Sequence, residues 1–122
     1  MLLRIGVALY LGNGFEDIRG GTYDQISYDA LAQRLISGHG FSFSEDWWPN
    51  TDADEPTSHW SYFYTLYLAG IYAIVGHRPI IARLIQAVLV GILMPVLMFR
   101  IGRRHFNELL GLSAAFMAAV YL

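Results

Sequence analysis

The chain has 122 residues, 55% of them hydrophobic and 15% aromatic, with a positive mean hydropathy and only 15% charged residues, against roughly 25% in soluble domains. That composition points to a membrane. Eight cations, all of them arginine, face ten acids for a net charge of −2, which leaves no basic patch for nucleic acid, and the lack of cysteine excludes a disulfide framework, a thiolate metal site and a thiol nucleophile.

The first stretch, MLLRIGVALYLGN, is apolar for about a dozen residues where a full span needs about 20. It lacks the small-residue cleavage site of a secretory signal, so residues 1–12 read as the outer end of a first membrane helix. Both ends of the chain fall in apolar runs. The expectation is a piece of a longer membrane protein, inactive by itself, with no independently closed domain.

Residues 13–60 read as a long polar loop. Within it, Thr22 followed by Gln25 fits the S/T-x-x-E/Q capping box, which predicts a helix starting at Tyr23. Tyr28, Leu31, Ala32 and Leu35 then share one face at helical spacing, and Asp24, four residues before Tyr28, falls on that face. Asp29 projects among Gln25 and Gln33 and reads as a solvated surface charge. An aromatic apolar helix is predicted over 61–76, bounded by Gly76 and Pro79. Residues 80–100 are long enough to cross a hydrocarbon core of about 30 Å, with a kink expected at Pro95. The basic stretch RIGRRHFNE, 100–108, reads as a turn leading into a last membrane helix over 107–122.

Charge sets the expected topology. Residues 13–79 hold nine acids and three arginines, a net of −6, while Arg100, Arg103 and Arg104 cluster against Glu108. The positive-inside rule puts the arginine turn in the cytoplasm and the 13–79 loop outside. This orientation requires 61–76 to lie on the outer face as a juxtamembrane helix, its rings Tyr62, Phe63, Tyr64, Tyr67 and Tyr72 in the interfacial zone; a short true span is the alternative. The expected fold is all-α and membrane-embedded, with a long helical extracytoplasmic first loop.

Asp24 has two readings. A carboxylate in the first helical turn is favoured by unpaired backbone N–H groups and the positive end of the helix dipole, and this stabilisation of the helix start is one account of it. The other is a general base in a membrane-bounded cleft, taking a proton from an incoming hydroxyl or amine. Asp52, Asp54, Glu55 and His59 crowd one loop; a solvated acidic surface is the simpler account of them, and a divalent metal or sugar site is the functional one. Trp47, Trp48 and Trp60 fit interface anchors better than sugar-stacking faces. Arg78 and Arg83, near the start of the spanning helix, are candidates for gripping a phosphate or for simple snorkelling.

The order of these pieces carries a resemblance. An acid in DxxxYxxLA, then SGHGFS, a Pro-Thr step, an aromatic helix ending YAIVG, ARLIQAVL and GRRHF together resemble the N-terminal part of the C-type integral-membrane glycosyltransferases. The chain looks most like their family 39, the protein-mannosyltransferase and aminoarabinose-transferase relatives, from about Leu2 to Leu122. The resemblance implies transfer of a sugar from a polyprenyl-phosphate donor to an acceptor on the extracytoplasmic side of a plasma or inner membrane. It implies Asp24 as the catalytic acid of the first outer loop and puts His59 at a position where aminoarabinose transferases carry a functional acid; Tyr28, Arg78 and Arg83 join His59 as the candidate substrate-binding residues. Gln25 stands where many relatives carry a second acid, and Ser61, Tyr62 and Thr65 stand where many have proline. No cofactor is implied with certainty; a divalent metal on Asp52, Asp54 and Glu55 remains a candidate. A non-catalytic membrane carrier or assembly subunit, its acidic loop binding a partner, is the second reading.

Overall fold

The computed structural model describes residues 1–15 and 24–121. Five helices follow one another: α1 (Leu2–Leu11), α2 (Asp24–Ile36), α3 (Tyr62–Val75), α4 (Pro79–His105) and α5 (Glu108–Val120). Among the described residues no strand forms; the loop between α2 and α3 makes only isolated bridges, Ser42 with Pro56 and Trp47 with Thr51. The chain divides into two compact units, one of Met1–Gly12 with Ile80–Leu122, the other of Asn13–Pro79.

In the first unit α4 is the one described helix long and apolar enough to cross a membrane. Pro79 occupies its first position, where a missing N–H costs nothing. The helix does not stop at residue 100. It continues through Arg100–His105 and absorbs most of the expected basic turn, because arginine is a good helix former and no proline intervenes before the Asn107 cap. Asn107 then caps α5, its side chain accepting from the Leu110 amide at 2.9 Å. Backbones approach closely at that hairpin: a Cβ added to Gly102 would lie 2.8 Å from the Gly111 Cα. Arg83 donates to the carbonyl of Gly12 at 2.7 Å, satisfying the end of α1, where Gly12 takes a positive φ of 56°.

The second unit is a folded body rather than a loose loop. α2 packs on α3, and the segment 37–61 closes over them through main-chain bonds. Asp54 N donates to Phe43 O at 2.8 Å, Thr57 N to Phe41 O at 2.9 Å, and Trp47 and Thr51 exchange bonds at 2.8 and 3.0 Å. Its core is Leu31, Phe43 and Trp60, with Tyr28, Ala30 and Trp47 packed against them. Trp47 stacks flat on Phe43 at 4.7 Å and donates its indole N–H to Ser27 Oγ at 2.8 Å. Two of the three tryptophans expected at a lipid interface are therefore spent on packing; only Trp48 is broadly exposed, at 74%. α3 ends at Gly76, whose φ of 77° a residue with a Cβ adopts only under strain.

Candidate functional site

Asp24 is the first residue of α2 and is exposed. Its expected place in a buried stripe is corrected: the row Tyr28, Leu31, Ala32 does pack inward, but Asp24 lies one turn ahead of the first packed residue of that row. Angular position around the helix was right, and position along the axis overrode it. The Thr22 half of the capping box lies outside the described residues.

Tyr28, one turn on, is the hub of an aromatic group. Its ring meets Trp60 edge-on at 5.5 Å and Tyr64 edge-on at 4.9 Å, and its hydroxyl accepts from the Ser61 amide at 3.3 Å. His59 meets the other side of the group, 5.1 Å from the Trp60 ring. The fold thus links Tyr28 and His59, 31 positions apart in sequence, through one indole. That indole is 7% exposed and its Nε1 has no hydrogen-bond partner, a buried donor that ordinarily costs about 1–3 kcal/mol.

His59 also lines an open polar pocket of about 280 Å³, together with Asn50, Thr51, Glu55, Thr57 and Ser58. Hydroxyls, an amide, a carboxylate and an imidazole make a lining suited to a polyhydroxylated group. The acids of this loop do not converge. Asp54 pairs with Arg34, Asp52 and Glu55 are exposed, and among the described residues no three His, Asp or Glu side chains are grouped to hold a metal. Arg78 is exposed. Arg83 is engaged at Gly12, as described above.

The acid that is buried is Asp29, 6% exposed, which corrects its expected role as a solvated charge. Its carboxylate accepts from Tyr72 Oη at 2.6 Å, Gln33 Nε2 at 2.7 Å and His77 Nε2 at 2.9 and 3.0 Å. A proton on His77 Nε2 serves both carboxylate oxygens, and the ring stands edge-on to Tyr72 at 5.0 Å. Three donors from two helices and a turn replace the water that Asp29 gives up. The Asp29–Gln33 pair, at helical spacing, was visible in the sequence; Tyr72 and His77, more than 40 positions away, carried no signal that pointed to Asp29. Because Tyr72 faces α2 and Tyr64 faces Tyr28, these two rings are not the interfacial ones expected of 61–76.

No protein-family model, curated protein or solved structure matches this chain.

Proposed function

We propose that the chain belongs to a membrane glycosyltransferase that moves a sugar from a polyprenyl-phosphate donor to an acceptor on the extracytoplasmic side, as its resemblance to the C-type enzymes implies. The observation that carries this reading is an accessible carboxylate, Asp24, one helical turn from the Tyr28 ring, which is joined through Trp60 to His59 and a polar pocket. Sugars are recognised by such a mixture: C–H faces lie on aromatic rings and hydroxyls meet polar side chains.

In the proposed reaction the acceptor hydroxyl oxygen attacks the anomeric carbon while the bond from that carbon to the carrier's phosphate oxygen breaks. The phosphate leaves with the bonding electrons, the acceptor proton passes to Asp24, and the configuration at the sugar inverts. Asp24 acts as general base; its exposure leaves it open to the acceptor. Tyr28 and His59 orient the sugar, and the exposed Arg78 meets the phosphate. General-base assistance contributes about 10²–10⁴-fold, so Asp24→Asn in the intact protein is expected to lower transfer from a polyprenyl-phosphate sugar by about that factor with expression unchanged. Undiminished transfer would reject the assignment and leave the acidic 52–55 loop as a partner-binding surface in a non-catalytic membrane protein.

A further inference from the structure

The continuation of α4 through Arg100–His105 changes what its arginines can do. In a turn, Arg100, Arg103 and Arg104 would have no common face. On a helix, spacings of three and four bring them together, and all three are exposed. Arg100 and Arg104 each project about 160° from Gly102, the residue buried in close approach to Gly111 of α5. The arginine face is therefore turned away from the hairpin. No acid lies on α4, and among the described residues none pairs with these guanidinium groups. Arg103 stands over the Phe99 ring, 6.0 Å from its centre.

The residues that precede this face say which anion it suits. Leu89, Leu93 and Val96 are exposed and lead to Arg100 in steps of four, three and four, so they lie in one row with it. An apolar row that ends in guanidinium groups follows the outline of a phospholipid, acyl chains first and phosphate after. Length agrees with this. At 27 residues, α4 is about 40 Å long; residues 80–99 fill a hydrocarbon core of about 30 Å, and the six that follow reach about 9 Å further. One headgroup layer is about 5–8 Å deep. Three unneutralised cations at that depth favour a headgroup with net negative charge over a zwitterionic one, and a guanidinium can hold a phosphate through two parallel bonds.

We propose that Arg100, Arg103 and Arg104 form a binding face for an anionic phospholipid in the leaflet where α4 ends, its acyl chains lying along Leu89, Leu93 and Val96. The inference rests on reading α4 as a span. It does not depend on the proposed sugar transfer.

The test uses the whole chain reconstituted in phosphatidylcholine bilayers. A trace of phosphatidylglycerol or of phosphatidylcholine, each with the same acyl-chain spin label, is added, and the motionally restricted fraction gives the relative association of each lipid with the chain. The expected result is a preference for phosphatidylglycerol of about fivefold, the effect of one arginine near an anionic surface, weakened by salt. Arg100→Gln, Arg103→Gln and Arg104→Gln together are expected to remove the preference, while R100K, R103K and R104K together retain most of it. Each glutamine change alone lowers it in part, so the measurement stands even where the triple variant fails to insert. Equal association of the two lipids with the parent chain overturns the proposal and leaves the face to an acidic partner protein. A preference that survives the glutamine changes also overturns it, because the lipid then sits elsewhere. Inorganic phosphate that abolishes the preference at an ionic strength where sodium chloride does not assigns the cluster to free phosphate. A preference that fades as the chain is concentrated in the bilayer assigns the face to a second copy. Either of these last two results overturns the proposal as well.

Discussion

The two units differ in whether they bury large side chains. In the first, the buried described residues are Ala8, Ala82, Ala87, Gly91, Gly102, Gly111 and Ala118, while Leu89, Ile92, Leu93, Leu97, Phe116 and Met117 are exposed. In the second, the large side chains Leu31, Phe43, Trp60, Leu68 and Tyr72 are buried, beside Ala32, Ala69 and hydrogen-bonded polar residues such as Ser27 and Asp29, and the acids of the loop are exposed. Water drives large apolar side chains inward. Lipid exerts no such drive, and helices within it meet through small residues that let their backbones approach. The first pattern is the one expected of helices packed in lipid, the second that of a body folded in water.

The largest expected effect tests the water-like half. Phe43 is 1% exposed and stacked on Trp47, so Phe43→Ala is expected to destabilise the second unit by about 3–5 kcal/mol, read as a lower urea midpoint of tryptophan emission in detergent-solubilised chain. A midpoint unchanged from the parent would mean that this core does not hold the unit together. Next comes the lipid-like half. Leu93, 54% exposed near the middle of α4, would tolerate an acid if it faced water; facing lipid, Leu93→Asp is expected to cost about 2.5–3.5 kcal/mol of membrane insertion, seen as loss of the carbonate-resistant fraction.

Two acids sharpen the comparison within the second unit. Asp29→Asn keeps the shape but leaves Tyr72, Gln33 and His77 competing for one amide oxygen, an expected loss of about 1–3 kcal/mol by the same urea titration. Asp54, with its side chain 72% exposed against Arg34, is expected to matter far less: Asp54→Ala should shift stability by no more than about 1 kcal/mol. If the two variants fell equally, burial would not be what separates these carboxylates.

Much of this architecture was legible in the order of apolar and polar residues. The aromatic helix predicted over 61–76 is α3, Tyr62–Val75, because Gly76 and Pro79 punctuate it. α4 was found by length and composition, and its extension through Arg100–His105 was missed because charge was read as a turn signal although arginine propagates a helix readily. The candidate site was legible only where its residues are near in sequence. Helical projection put Asp24 and Tyr28 on one side of α2, but projection has no axial coordinate and placed the wrong acid inside. Asp29 is buried by partners on α3 and beyond it, and Tyr28 reaches His59 only through Trp60; pairings across such separations are made by the closing of 37–61, whose main-chain bonds no periodicity announces.

The bond from Arg83 to the Gly12 carbonyl spans 71 positions. At a synthesis rate of roughly 5–20 residues per second, α1 waits about 4–14 s for the guanidinium that completes its end. Throughout that interval the whole second unit is still leaving the ribosome. The Gly12 carbonyl must therefore be met by something else until Arg83 emerges, so closure of the first unit is timed by the length of the segment between α1 and α4.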